Sequence, residues 1–405
     1  MPSAPPPGDP APLDGVLPDY ALASLGATPF GFYVHVPYCA TRCGYCDFNT
    51  YTSDELGPGV SRASYADQAI AEVRLARRVL GDRDVPVSTV FVGGGTPTLL
   101  PPGDLGRILA ASRDEFGLVT DAEVTTEANP DSVTLESLAA LHDDGFTRMS
   151  FGMQSVAPHV LAVLERTHTP GRAVEAVEDA HAVGFAHVNV DLIYATPGET
   201  SDDFRESLQA AISSGVDHVS AYSLIVEDGT RLAGRVRRGE LPDVDDDIAA
   251  DRYVLADGML TGAGLEWYEI SNWAGPGGEC RHNLGYWRGA DWWGIGPGAH
   301  GHVGGVRWWN VRHPTAYAER IAAGHSPAQA REVLTDAERG TEEVMLRVRL
   351  REGFPLSRLS PHGREVARTA LTDGFVESTA YEEGRMVLSR RGRLVADGII
   401  RSLVD

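Results

Sequence analysis

The chain has 405 residues, 35 cationic and 57 acidic side chains, a net charge of −22 and 42% hydrophobic residues. So acidic a balance argues against a nucleic-acid partner, which needs a basic face, and no stretch approaches the roughly 18 unbroken apolar residues of a membrane helix. No lysine occurs, so every cationic side chain is Arg and a lysine Schiff base or lysine general base is excluded.

Residues 1–29 read as a flexible segment. Met1 to Pro12 is rich in Pro and Ala and has no basic residue, unlike the start of a secretory signal. A cytoplasmic location is the expectation. From residue 30 to 230 short apolar runs alternate with helical patterns. Strands are expected at 32–36, 90–93, 124–127, 148–152, 188–194 and 219–225. Helices are expected at 64–80, 105–116, 135–142, 157–165, 172–183 and 203–214, and a further one at 243–260. Strands alternating with helices of this length pair in parallel through crossovers. The fold class is therefore α/β, a partial (β/α)6 TIM-like barrel, with its chemistry at the C-terminal ends of the strands.

Residues 231–335 form an α+β segment rich in glycine and aromatics, with strands expected at 266–270 and 306–310. All seven tryptophans lie here: Trp267, Trp273, Trp287, Trp292, Trp293, Trp308 and Trp309. Residues 336–405 read as helix, helix (363–372), hairpin (375–379 with 386–389) and closing helix. That order is winged-helix-like; without a basic surface it points to packing or partner contact rather than DNA.

The chain has four cysteines, and three of them, Cys39, Cys43 and Cys46, follow the first strand in a C-x3-C-x2-C spacing. Thiolates ligate iron–sulfur clusters, and a cubane needs four ligands. Three cysteines leave one iron open to a further ligand, a position that the amine and carboxylate of S-adenosylmethionine (SAM) take in SAM enzymes. The alternative is zinc, which would want a fourth Cys or His; the nearby candidate, His35, sits within the strand. The second strand ends in Gly93-Gly94-Gly95-Thr96-Pro97, where bare backbone can approach a ligand, such as the SAM ammonium, or simply turn. Glu127, Gln154 and Asp191 lie at the ends of the next three strands. They suit SAM hydroxyl or amine contacts, and Arg166 suits its carboxylate; structural hydrogen bonds at the barrel mouth are the alternative. Cys280-Arg281-His282-Asn283-Leu284-Gly285-Tyr286-Trp287 sets an imidazole and a thiol among aromatics, as a planar apolar cofactor such as haem would use. The alternative there is an aromatic core with one satisfied histidine and a buried free cysteine.

At these residues the chain resembles the oxygen-independent coproporphyrinogen III oxidase family of the radical SAM superfamily, and most closely its HemW branch of haem chaperones. The likeness rests on Tyr33-Val-His-Val-Pro-Tyr-Cys39, the cysteine triad followed by Asp47-Phe48-Asn49, Gly93 to Pro97, Asp191-Leu-Ile-Tyr194, Gly294-Ile-Gly-Pro-Gly-Ala-His-Gly301 and Glu343-Val-Met-Leu-Arg347. It implies a [4Fe-4S] cluster on Cys39, Cys43 and Cys46. It also implies SAM contacts from Tyr33, Tyr45, Gly94, Gly95, Thr96, Glu127, Gln154, Arg166 and Asp191. Oxidases of the family carry a further Cys two residues after the triad, where this chain has Phe48. The H-N-x-x-Y-W run implies haem contacts from His282, Asn283, Tyr286 and Trp287, with Arg281 and Arg288 beside it for the propionates.

The resemblance thus implies a haem-binding protein that passes haem to an acceptor protein, with an electron donor for the cluster and no nucleic-acid partner; peripheral membrane contact stays open. The alternative is a coproporphyrinogen III dehydrogenase, which would decarboxylate propionates by radical chemistry. Phe48 and the His282 motif both argue against that enzyme.

Overall fold

The computed structural model describes residues 8–52, 55 and 61–404. Six strands lie side by side in parallel, in chain order: β1 (Phe30–Val36), β2 (Val87–Gly94), β3 (Leu118–Ala128), β4 (Arg148–Gln154), β5 (His187–Tyr194) and β6 (His218–Ser223). Every residue of β4 is buried, as expected of a parallel strand covered on both faces. The connecting helices are α1 (Arg62–Leu80), α2 (Asp104–Phe116), α3 (Leu135–Asp144), α4 (Pro158–Leu164), α5 (Arg172–Val183) and α6 (Ser201–Ser213). Helices α3 and α6 open with capping boxes, Thr134 with Ser137 and Thr200 with Asp203.

The sheet curls on itself. Side chains from all six strands, Tyr33 of β1 through Tyr222 of β6, line one internal cavity of about 300 Å³. Helix α7 (Asp246–Gly262) follows β6, and two short strands, β7 (Glu266–Glu269) and β8 (Asn272–Ala274), extend the β6 edge antiparallel. Helix α8 (Arg281–Arg288) then returns beneath the barrel. On the other edge β9 (Asp291–Ile295) joins β1 in parallel, and β10 (His300–Val303), β11 (Val306–Asn310) and β12 (Ala328–Val333) continue antiparallel. The described sheet has 13 strands and runs open from edge to edge.

The six expected barrel strands and their helices are all present, with shifted ends. Strands β8, β9, β10 and β12 and helix α8 are absent from the sequence reading. Each is short, and β9 and β10 sit among glycines that mask any period-two alternation. Residues 8–29 are not free. Asp9–Pro10 pairs with β12, and Leu17, Ala21 and Leu22 are buried in the main core. The Pro-rich composition fits an edge strand as well as a tail; residues 1–7 lie outside the described residues.

The last part has its own core, built from Val348, Phe354, Ala367, Met386 and Ile400 among others. The expected helix at 363–372 appears as Pro361–Thr372. The expected hairpin is reduced to a short antiparallel pairing, with the Glu377 amide on Val387 O and the Ser389 amide on Phe375 O, both at 2.9 Å. Ser378–Glu382 is helical, in keeping with its Ala and Glu content, Met386 pairs with Phe354, and only an isolated Val376–Leu388 bridge remains.

Candidate functional site

The loop after β1 carries Cys39, Cys43 and Cys46 to the C-terminal mouth of the barrel. The amide of Cys39 donates to Tyr51 O (3.1 Å), that of Gly44 to Leu164 O (3.0 Å) and that of Leu232 to Gly44 O (2.9 Å), so the loop is pinned at several points. Chain reversal beside it depends on glycine. Gly94 has φ +109°, and a Cβ there would lie 2.6 Å from the His35 ring. A Cβ at Gly95 would press on the Tyr38 backbone, 2.9 Å from its carbonyl carbon. The amides of Gly95 and Thr96 donate to Val36 O and Tyr38 O at 2.8 and 2.7 Å, which ties the glycine turn to the start of the cysteine loop.

The three cysteines share a cavity of about 250 Å³ with Tyr45, Gly94, Gly95, Thr96, Glu127, Gln154, Arg166 and Asp191. These are all but one of the residues that the resemblance assigns to SAM. The exception, Tyr33, faces the barrel interior and a neighbouring cavity, where its hydroxyl bonds His35 Nδ1 at 2.9 Å. Gln154 has φ +64°, a left-handed conformation that an L side chain adopts at a cost. Arg166 donates to Gly152 O (3.0 Å) and to Cys43 Sγ (3.5 Å). Asp191 accepts from Ser150 (3.1 Å) and Asn189 (2.9 Å), and Glu127 accepts from the Gly94 amide (3.0 Å).

Burial raises the pKa of Glu127 to about 8, aided by the charge of Asp191 and opposed by the Gly94 amide. Asp191 is raised as well, by burial against its hydrogen bonds. Two carboxyls held this way would ionise readily beside a cationic ligand. Burial also raises Cys39, and takes Cys46 to about 11, so binding of a metal cluster must displace protons. The hydroxyl of Thr50 and the Nε of Arg166 are buried here without a hydrogen-bond partner, polar atoms that a bound group would satisfy. No three His, Cys, Asp or Glu side chains among the described residues converge on a single ion. What fits a cluster is the thiol donor set in a cavity with orphaned polar atoms.

The His282 motif lies at the opposite end of the barrel. Helix α8 starts against β3: the Glu123 carboxylate accepts the amides of Arg281 (3.0 Å) and His282 (2.9 Å), and Arg148 pairs with it at 3.3 Å. A carboxylate at a helix N-terminus satisfies orphan N–H groups and the helix dipole together. His282 is 4% exposed. Its Nδ1 bonds Thr89 Oγ1 and its Nε2 bonds Tyr286 Oη, both at 2.8 Å, and its ring stacks on Phe91 at 5.3 Å. Burial lowers its pKa to about 3. Asn283 and Tyr286 line the barrel interior beside it, while Trp287 packs the other way, on Tyr268, Leu284 and Leu350. Arg281 pairs with Asp121 (2.9 Å) and Arg288 with Glu352 (2.8 Å). Cys280 is buried and donates to Glu123 at 3.6 Å, and burial holds its thiol protonated. In this arrangement His282 offers no ring nitrogen to a ligand, and the four motif side chains do not share one face.

A larger cavity, about 720 Å³, adjoins the cysteine cavity and shares Phe48, Gly94 and Glu127 with it. Its far wall is the antiparallel extension, through Trp292, His300, His302, Arg307 and Trp309. In the sequence Phe48 marks only the branch, and His300 stands inside a glycine block. A histidine between glycines beside a strand was the available signal.

The radical SAM superfamily model matches residues 33–211. Over 384 residues the chain is 55% identical to the heme chaperone HemW of Mycobacterium tuberculosis, covering 95% of this chain and 97% of that protein. The chain belongs to the HemW family of radical SAM proteins. The HemW of Bacillus subtilis is 30% identical over 378 residues, 91% of this chain and 97% of its own. Among solved structures, the coproporphyrinogen III oxidase HemN of Escherichia coli shares the fold, with a TM-score of 0.80 over 95% of this chain and 92% of its own at 21% identity. Membership implies a [4Fe-4S] cluster and SAM. No helix among the described residues is long and apolar enough to cross a membrane.

Proposed function

We propose that this HemW-family protein is a cytoplasmic haem chaperone. It takes up haem as cargo, holds it beside the cluster site and hands it to an acceptor protein, with an electron donor serving the cluster. The observation that carries this reading is the 720 Å³ cavity next to the cysteine cavity, walled by tryptophans and histidines. That size is within the roughly 300–1,000 Å³ typical of small-molecule sites. Phe48, 58% exposed, stands between the two cavities and presents an apolar ring where the oxidase branch has a cysteine.

Cys39, Cys43 and Cys46 would hold the cluster, and Tyr45, Gly94, Gly95, Thr96, Glu127, Gln154, Arg166 and Asp191 would surround SAM. Tyr33 would approach it from the neighbouring cavity. Cluster and SAM together supply one-electron reductive chemistry. The chain's part is positional. Arg166 braces Cys43 and offers charge to a carboxylate, and the glycine turn brings bare backbone to the ligand. Glu127 and Asp191 release protons as a cation arrives.

The test is parallel assay of the anaerobically reconstituted full chain. Added haem should give a Soret band shifted from that of free haem, and coproporphyrinogen III with SAM and reductant should give no vinyl product above a cluster-free control. Vinyl product with carbon dioxide release, and no haem spectrum, would assign the chain to the oxidase reaction instead.

A further inference from the structure

Among the described residues, the large cavity is lined by one imidazole that is not already engaged. Three histidines line it. His35 is tied at both nitrogens, Nδ1 to the Tyr33 hydroxyl (2.9 Å) and Nε2 to Asn49 O (3.0 Å). His302 is likewise tied, Nδ1 to Ala290 O (3.1 Å), while Nε2 accepts the Gly305 amide (3.3 Å). His300 is exposed to the cavity, and neither ring nitrogen has a hydrogen bond among the described residues. Among the described residues the lining has no cysteine or methionine. Its two tyrosines, Tyr33 and Tyr286, spend their hydroxyls on His35 and His282.

The backbone holds His300 in place for such a role. On β10, residues two apart share a face, so His300 and His302 both point to the cavity. His300 pairs in register with Trp309 of β11, and the two rings stack with centroids 6.0 Å apart and planes 29° apart. The His300 carbonyl accepts the Trp292 indole N–H at 2.9 Å, which fixes a second aromatic face on the same wall. Burial, with Arg307 and Arg312 nearby, lowers the pKa of His300, which keeps the ring neutral, the form that binds metal. Those arginines also line the cavity, and Arg307 is already paired with Glu332 at 2.8 Å and with Glu342.

We propose that His300 is the axial ligand of the metalloporphyrin carried in this cavity, with Trp309 setting the imidazole plane. This rests on the chaperone reading and moves the iron-binding atom from the His282 motif to β10.

Titration of the full chain with ferric haem, read by the Soret band, tests it. The expected result is at least a tenfold loss of affinity and loss of the shifted band for His300→Ala, with His282→Asn keeping the shifted band even where its affinity falls. His300→Cys should instead give a thiolate-type spectrum at the same site, a change that a merely structural role would not produce. Metal-free protoporphyrin IX should bind unmodified protein and His300→Ala alike, since only the iron bond is removed. A shifted band that survives in His300→Ala but is lost in His282→Asn would overturn this assignment and leave haem binding intact. No shifted band in the unmodified protein would overturn the chaperone reading and this proposal together. Should His300→Ala fail to fold, the His300→Cys spectrum decides: an unaltered imidazole-type band refutes the ligand role.

Discussion

Replacing His282 by Ala separates a fold-stabilising histidine from a ligand. The substitution removes both 2.8 Å hydrogen bonds, leaves the Thr89 hydroxyl buried and takes the ring off Phe91. A buried polar group left unpaired costs about 1–3 kcal/mol, and a lost aromatic contact about 0.5–1.5 kcal/mol beyond area. A total loss of about 3 kcal/mol at pH 7.5 is expected. That deficit should depend on pH. In the folded chain the ring stays neutral until about pH 3, whereas in the unfolded chain it takes up a proton near 6.5. Between those values the unfolded state binds more protons, so this histidine destabilises the parent protein as pH falls. The variant lacks that proton uptake. Its deficit should therefore shrink, by about 1.4 kcal/mol at pH 5.5 and about 2.7 kcal/mol at pH 4.5. Urea unfolding followed by tryptophan fluorescence measures it directly, because all seven tryptophans lie in residues 267–309 around α8. A deficit under 1 kcal/mol at pH 7.5, or one that grows on acidification, would refute the reasoning.

Replacing Cys39, Cys43 or Cys46 by Ala should abolish the roughly four irons and four sulfides per chain expected after anaerobic reconstitution. The buried Cys280→Ala protein should keep them; iron retained in all three triad variants would refute the cluster assignment. Gly95→Ala puts a Cβ against the Tyr38 backbone, and such overpacking costs about 1–3 kcal/mol. Equilibrium dialysis with SAM should show weakened binding in that variant while the Gly258→Ala control, on helix α7 and open within 4 Å, tests a remote glycine; equal SAM affinity in Gly95→Ala and the parent would refute the close approach.

The barrel was legible because its signals are local. Phe30–Val36 and His187–Tyr194 are apolar runs bounded by turns, and Arg172–Val183 has a helical period and a following Gly184 with φ +104°. The cysteine spacing and the strand-end residues Glu127, Gln154 and Asp191 converge for the reason the fold predicts: parallel strands deliver their C-terminal ends to one mouth. The antiparallel wall was not legible. Asp291–Ile295 joins β1 across more than 250 residues of chain, and nothing in its five residues specifies a partner so distant. Nor could composition tell whether the tryptophans face a ligand or a core. Trp273 is fully buried with its indole on Asp257 (3.0 Å), whereas Trp292 and Trp309 line the large cavity.

The position of His282 gives the motif a physical reason that does not require haem. An open barrel must close its N-terminal end, or Arg148, Glu123 and Asn189 would sit at a wet lumen. Helix α8 closes it, and its first residues satisfy Glu123 through two amides while His282 spans Thr89 on β2 and Tyr286 on its own next turn. Asn283 completes the lumen wall, and Trp287 anchors the outer face to Tyr268 and Leu350. Each residue of the run thus has a separate structural task, which is enough to demand that combination at that spacing. Tyr286 also lines the large cavity and stacks edge-on to Trp292 at 4.6 Å. A change at His282 therefore reaches the cargo wall through Tyr286, so weakened haem binding in a His282 variant would not by itself make that histidine the ligand. The axial-ligand spectrum distinguishes the two, because displacement of Tyr286 alters affinity while leaving the atom bound to iron unchanged.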